Sequence, residues 1–301
     1  MSDILVLQIT MFLLILVGAV IKKLKIVSPE GQKNINDLVI YLVLPCNIVC
    51  SFLIECDGNI FRQFGLVFVI SVAVQAAAVL LGRLLYGRKE QGHRMSLQYG
   101  VICSNAGFLG NPVAEGVFGA IGLAMASVYL IPMRVMMWSS GIAIYTHSTD
   151  VRKTLKKVVT HPCILACGLG LLLMVGGWRP PEVILKPLST IGGCNTALSM
   201  MVIGMILADA DVRTLFDREI LAYSFLRLVG MPAVLYALCR LCRVPALVTG
   251  VCTLLTAMPA GATTSILASK YQADELFATR LVVASTMLSM ITIPVWSHIL
   301  T

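Results

Sequence analysis

Charged residues are the first shortage in this sequence. They make up 13% of the 301 residues, and acidic residues number only 15, whereas a soluble domain carries roughly 25% charged residues. This shortage excludes an ordinary soluble enzyme, a disordered chain and a nucleic-acid-binding domain, so we expect no nucleic-acid partner. The composition is instead 58% apolar. Because a membrane helix needs ~20 apolar residues, the length predicts about ten helices in a lipid bilayer and no separate soluble domain.

Sequence signatures of catalysis and metal binding are also missing. There is no HExxH zinc motif, no P-loop and no dinucleotide fingerprint, and none of the four histidines has a neighbour at ligand spacing. Most cysteines lie in apolar runs, where a thiol behaves as a small hydrophobic group. One CxxC, formed by Cys239 and Cys242, has no second pair to complete a metal site. We therefore expect no enzyme activity, no metal and no cofactor.

Apolar runs alternate with short polar breaks along the whole chain. No cleavable signal peptide is predicted, because lysines follow the first apolar run and do not precede it. The longest polar break, residues 148–160, falls at the midpoint and reads as a cytoplasmic linker between 1–147 and 161–301. The ten predicted spans are 4–24, 35–54, 61–86, 95–119, 122–146, 161–178, 183–208, 220–240, 244–269 and 276–299.

Lysines and arginines are distributed unevenly over the two sides of these spans. Sixteen fall on one side and five on the other, while Arg134 and Arg227 lie within spans. The more positive side of a membrane protein faces the cytoplasm. We therefore expect a multi-pass protein of the plasma membrane with both termini outside.

The two halves of the chain show a faint internal repeat. The dipeptide Cys46-Asn47 recurs as Cys194-Asn195 after 148 residues, and Ala106-Gly107 recurs as Ala260-Gly261 after 154. Five spans per half is an odd number, so the second half enters the membrane from the opposite side. The sequence therefore predicts two inverted repeats, which is a common plan for transporters.

Spans 4 and 9 contain helix-breaking residues at mid-membrane depth. Span 4 includes SNAGFLGNPVAEGVFG (104–119), and span 9 includes AMPAGATTSILASKY (257–271). Glycine loosens a helix and proline removes a backbone donor, and the freed backbone groups are tolerated where they line a cavity enclosed by protein. A simple proline kink is the alternative. Interruptions at matching places in two halves indicate a transport site, and helix N-termini there would favour an anion.

These two segments resemble the fourth and ninth spans of the auxin efflux carrier family, which includes the plant PIN proteins and many bacterial carriers. Four further segments are similar to its second, fifth, seventh and tenth spans: LVIYLVLPCNIVCSF (38–52), MRVMMWSSGI (133–142), TALSMMVIGMILA (196–208) and STMLSMITIPVW (285–296). The resemblance covers essentially the whole chain. It implies an all-α fold of ten transmembrane helices in two inverted five-helix repeats, with broken crossover helices 4 and 9. Spans 1, 2, 6 and 7 would form a scaffold, and spans 3–5 and 8–10 a mobile transport domain.

The same resemblance implies a substrate site where spans 4 and 9 cross. Asn105 corresponds to a family asparagine that helps to hold a carboxylate, and residues 259–261 correspond to the crossing in span 9. The implied substrate is a small organic anion, such as a mono- or dicarboxylate, that is moved by alternating access. A homodimer through spans 2 and 7 is also implied. The short 148–160 segment, and Ala197 where the family often has proline, count against auxin itself.

Arg134 is the charge that the sequence places deepest in the membrane. It lies twelve residues from either end of span 5, about 18 Å along a helix, and such a charge is by default a functional-site hypothesis. Its planar guanidinium suits a carboxylate, so Arg134 either contacts the substrate or braces a helix carbonyl. Arg227 lies nearer the end of its span, and we expect it to snorkel to the cytoplasmic interface. Glu115 either carries a coupling H⁺ or Na⁺ or lies at a solvated rim.

The candidate site combines these residues with the small and polar residues of both breaks. Asn47 and Asn195 either line the cavity or form hydrogen bonds between helices. The predicted substrate-binding residues are Ser104, Asn105, Ala106, Gly107, Arg134, Pro259, Ala260, Gly261, Thr263, Asn47 and Asn195, with Gly110, Asn111 and Pro112 at the helix break.

The sequence leaves three alternatives to a simple anion carrier. A non-transporting sensor or regulatory membrane protein is disfavoured, because we expect no separate soluble output domain. A sodium-coupled carrier of the bile-acid type stays open, although the sequence places no carboxylate nearer to the crossing than Glu115. A membrane-embedded transferase would need Asp209 and Asp211 to hold Mg²⁺ against a diphosphate, and a solvated loop explains that pair better.

Overall fold

The computed structural model describes residues 2–54, 58–146, 159–208, 215 and 217–301. Residues 148–158 of the predicted linker, together with Asp209 and Asp211, lie outside them. The described chain is helical, and its one β-type pairing is an isolated bridge. The helices are α1 (Ser2–Lys23), α2 (Pro29–Ser51), α3 (Gly58–Tyr86), α4 (Gln91–Ile102), α5 (Asn111–Trp138), α6 (Ser140–Thr146), α7 (Pro162–Val175), α8 (Glu182–Gly193), α9 (Asn195–Ala208), α10 (Arg218–Leu241), α11 (Ala246–Thr256), α12 (Thr263–Lys270) and α13 (Glu275–Leu300).

Six helical stretches of the described chain are long and apolar enough to cross a membrane. They are α2, α3, Ala106–Met137, Glu182–Ala208, α10 and α13, and the apolar helices α7 and α11 are shorter. Large apolar side chains such as Leu172 and Val69 are more than half exposed on the outer surface. These features agree with the prediction of an all-α polytopic membrane protein.

Helix packing divides the described chain into two groups. In the first group, α1 packs along α9, and α7 packs on the second half of α2. Gly204 permits the close approach of α9 to α1, because a Cβ atom there would lie 1.9 Å from the carbonyl oxygen of Ile15. Small residues of this kind let membrane helices pack backbone to backbone.

The second group surrounds the interrupted helices α4 and α11. Helix α3 packs on α4 and α5, while α11 packs on α5 and α10, and α13 packs on α4 and α10. Buried aromatic side chains fill the space between them, and Tyr129 on α5 is joined to Thr256 at the end of α11 by a 2.8 Å hydrogen bond. This packing fixes the ends of the interrupted helices in the interior of the protein.

Candidate functional site

The chain breaks its helical structure at both places that the sequence indicates. Helix α4 ends at Ile102 and α11 ends at Thr256, and the segments that follow them run antiparallel, with Ser104 opposite Ala260. The amide of Asn105 donates to the carbonyl oxygen of Pro259 at 2.8 Å, and the amide of Gly261 donates to that of Cys103 at 3.0 Å. Backbone groups that a broken helix would leave unpaired are thus paired across the crossing, as a low-dielectric interior requires.

Small and polar residues allow this close crossing. A Cβ atom on Gly261 would lie 3.2 Å from the carbonyl oxygen of Ser104 and 3.3 Å from that of Cys103, so a larger residue there would press on the opposite backbone. The amide of Ala260 donates to the hydroxyl of Ser285 on α13 at 3.2 Å. The residue pattern that breaks the helices therefore also builds the contact between them.

Two helical segments begin at the crossing. A π-helical turn, Ala106–Gly110, follows Asn105 and leads into α5, while α12 begins at Thr263. The first N–H groups of a helix have no partners within it, and the N-terminal end carries the positive pole of the helix dipole. The crossing therefore presents two electropositive helix starts.

Arg227 is a structural brace of the crossing, and the expectation that it snorkels to the interface is wrong. Its side chain is only 3% exposed. The Nε atom donates to the carbonyl oxygen of Met258, and Nη1 donates to that of Val101, both at 3.0 Å. These carbonyls belong to the negative, C-terminal ends of α11 and α4, where a cation is favourable. The guanidinium stays buried because it donates hydrogen bonds to the C-terminal ends of both helices.

Arg134 is as buried as Arg227 but has no such partners. It is 5% exposed, its Nη1 atom is fully buried without a hydrogen bond, and it forms no ion pair with any described residue. Its Nη2 atom would lie 3.9 Å from a Cβ atom on Gly107, so the guanidinium faces the helical turn that follows the crossing. Of the two roles predicted for Arg134, the brace is therefore not seen among the described contacts.

One cavity of about 370 Å³ brings the predicted site together, and we call it the crossing cavity. Six of the predicted substrate-binding residues line it, and apolar side chains from α2, α5 and α9 supply much of the remaining wall. The six predicted residues are Ser104, Asn105, Gly107, Arg134, Gly261 and Thr263. Its size falls within the range of about 300–1,000 Å³ that is usual for small-molecule sites.

The remaining predicted residues lie elsewhere. Three of them, Ala106, Pro259 and Ala260, are buried at the crossing and do not line the cavity. Asn111 is fully buried with neither amide atom hydrogen-bonded. Gly110 packs against the side chains of Leu255 and Met258, and Pro112 occupies the first turn of α5.

Asn47 and Glu115 form a pair away from the crossing cavity. The Nδ2 atom of Asn47 donates to Glu115 at 2.9 Å, joining α2 to α5. Asn195 is buried, and its Oδ1 atom accepts a 3.3 Å hydrogen bond from Ser199 on the same helix. Neither asparagine lines the cavity.

Asp37, on α2, is an ionisable lining residue that sequence reasoning missed. It is partly exposed and lines the crossing cavity together with Asn105 and Arg134, whereas Glu115 does not line it. His161, at the start of α7, also lines the cavity. Its Nδ1 atom accepts the amide hydrogen of Cys163 at 3.3 Å, which requires that nitrogen to be unprotonated. No local sequence signal marks either residue, because each reaches the site through helix packing.

Comparison with known proteins shows which family the chain belongs to. The family model described as membrane transport protein matches residues 4–297. An uncharacterized transporter of Methanocaldococcus jannaschii is 26% identical over 297 residues, which cover 96% of each chain. One of Methanothermobacter thermautotrophicus is 25% identical over 295 residues, covering 97% of this chain and 96% of that one. The uncharacterized transporter YfdV of Escherichia coli is 20% identical over 283 residues, or 90% of each chain.

The match extends over nearly the whole length of a helical chain that has several apolar helices and a cavity at the crossing of two broken ones. This multi-pass membrane protein therefore belongs to the membrane transport protein family, the auxin efflux carriers that its motifs resemble.

Proposed function

We propose that the protein is a secondary transporter of a small organic anion that binds in the crossing cavity. The observation that carries this proposal is Arg134, a guanidinium that is 5% exposed, faces the cavity and lacks a protein partner in the described chain. Burying a charge without a partner is costly. A carboxylate of the substrate would supply that partner through two parallel hydrogen bonds.

The surroundings of Arg134 favour an anion as well. The turn that begins at Ala106 and the helix that begins at Thr263 both start at the crossing, and helix N-termini attract anions through free N–H groups and the helix dipole. The side-chain amide of Asn105 is a further donor that no described residue occupies, and it lines the same cavity. Donors from three separate elements would thus converge on one carboxylate.

Movement of one helix group past the other would expose the crossing cavity alternately to the two sides. In support of two inverted repeats, α1 from the first half packs on α9 from the second, and α7 from the second half packs on α2 from the first. A two-fold axis relating the halves would exchange α1 with α7 and α2 with α9, and would therefore turn the first of these contacts into the second. Helix α12 packs on α4 and α13 and so belongs to the second group. The crossing cavity lies between the two groups, because α2 and α9 line it from the first and α5 and α12 from the second.

Thermal unfolding of the purified protein with a panel of carboxylates tests the proposal. A ligand that binds only the folded state raises the melting temperature by mass action. We expect one class of acids to stabilise the wild-type protein and Arg62→Gln, a control on the exposed surface of α3, but not Arg134→Gln or Asn105→Ala. An equal response of Arg134→Gln and the control would remove the assignment.

The same panel, repeated with and without Na⁺ and across pH, distinguishes the modes of coupling. Stabilisation that requires Na⁺ would favour a sodium-coupled carrier of the bile-acid type, and stabilisation that grows at low pH would favour H⁺. Uptake of the selected acid into proteoliposomes then measures transport itself.

A further inference from the structure

We propose that the substrate of the crossing cavity is amphoteric, with a carboxylate that binds Arg134 and a protonated amine that binds Asp37. The inference rests on the proposed function and narrows it, from small organic anions in general to acids that also carry a cationic group.

Asp37 is a charged group that the described chain leaves without a partner. It lies on α2, lines the crossing cavity, and makes no hydrogen bond or ion pair with a described residue. Lys33 lies one turn earlier on the same helix, yet it lines a neighbouring cavity and forms no ion pair with Asp37. The carboxylate is therefore available to a cation that enters the crossing cavity.

Arg134 and Asp37 give the cavity one positive and one negative group that do not pair with each other. His161 adds no charge while its Nδ1 atom accepts the amide hydrogen of Cys163. Leaving the buried Arg134 unpaired is costly, and leaving the partly exposed Asp37 unpaired costs less. A ligand that carries the opposite charges satisfies both groups at once. A monoanion would satisfy Arg134 alone.

A dicarboxylate fits this arrangement poorly. One of its carboxylates could bind Arg134, but the other would share the cavity with the carboxylate of Asp37, and like charges in one site repel. Apolar side chains such as Ile40, Leu44 and Met133 also line the cavity. These walls suit a short hydrocarbon segment between two charged ends.

Three probes with the same four-carbon skeleton test this inference: butyrate, succinate and 4-aminobutyrate. A fourth probe, 2-aminobutyrate, carries the ammonium and the carboxylate on the same carbon atom. Their dissociation constants are measured by thermal stabilisation of the full-length protein in detergent. We expect one of the amino acids to bind at least about tenfold more tightly than butyrate and succinate, a difference readily resolved in melting curves.

Asp37→Asn keeps the shape of the side chain and removes its charge. We expect this variant to lose the preference for the amino acid and to bind succinate more tightly than the wild type does. Glu30→Gln, an exposed position at the start of the same helix, is the matched control and should keep the wild-type order. Size-exclusion profiles of both variants show whether they are folded.

The outcomes separate this inference from the proposed function. If carboxylates bind through Arg134 but wild type and Asp37→Asn rank the four probes alike, the inference is overturned and the anion carrier stands. If Na⁺ or low pH strengthens the binding of butyrate in the wild type but not in Asp37→Asn, Asp37 holds a coupling cation and the inference is also overturned. If none of the four probes binds but other acids of the carboxylate panel do, the inference is overturned and the anion carrier stands; if no acid of either set binds, both fall.

Discussion

Replacing Arg227 with methionine should destabilise the protein severely, although Arg227 does not line the crossing cavity. Methionine keeps much of the length and apolar volume of the side chain but removes its donors. The carbonyl oxygens of Val101 and Met258 would each lose a 3.0 Å hydrogen bond from a charged group. Both lie where the helices α4 and α11 end, in an interior where water does not readily replace a lost donor.

The size of the effect follows from these two bonds. A hydrogen bond to a charged group contributes about 1.5–3 kcal/mol, so losing both should lower the free energy of unfolding by about 3–6 kcal/mol. Folded domains are stable by only about 5–15 kcal/mol, and the variant should therefore yield little folded protein. Arg227→Lys keeps the charge but presents a single ammonium group, so we expect an intermediate loss.

Thermal unfolding in detergent measures this effect, with Arg240→Met as the matched control. Arg240 is exposed near the end of the same helix, and its replacement should leave the melting temperature nearly unchanged. An Arg227→Met protein as stable as the control would refute the assignment of Arg227 as a brace. Arg134→Met, in contrast, should not lower the melting temperature, because no described residue depends on Arg134 for a hydrogen bond.

Three further substitutions test the site and its supports. Arg134→Gln should abolish stabilisation by carboxylates while leaving the melting temperature without ligand at or above that of the wild type, and a fall in that temperature would point to a structural role. Asn47→Ala removes the donor to Glu115 and should cost about 1–3 kcal/mol in denaturant unfolding; a loss of the same size in a Glu115→Ala background, which has no acceptor, would show that the pair is not coupled. Gly261→Ala should cost about 1–3 kcal/mol through crowding at the crossing, whereas Gly193→Ala, where the structure leaves open space, should be neutral in the same melting assay.

Local sequence signals predicted the interruptions and much of the crossing cavity. Glycine and proline in 104–112 and 257–262 weaken helices wherever they occur, so their effect can be read without knowing the fold. The resemblance to a known family then linked the two breaks and assigned Asn105. The interruptions are found where predicted because they depend on residues that are close in sequence, and the role of Asn105 stays a prediction.

The charged groups were harder to place, because their roles depend on long-range packing. Arg227 appears close enough to the end of its helix to reach water, yet two helix ends from other parts of the chain enclose it. Asp37 lies in a polar stretch at the start of α2 and reads as a surface residue until α5, α7 and α9 are placed around it. No periodicity or spacing in the sequence carries that information.

The hydrogen bonds across the crossing have a mechanical consequence. The amide of Asn105 donates to the carbonyl oxygen of Pro259, and the amide of Gly261 donates to that of Cys103. These bonds tie the two broken helices together, so the helices should move as one rigid body. The distances among Asn105, Gly261 and Arg134 would then be the same on either side of the membrane. In the proposed transport cycle, only the wall supplied by α2, α7 and α9 would be exchanged, so any difference in affinity between the two sides would have to arise in that wall.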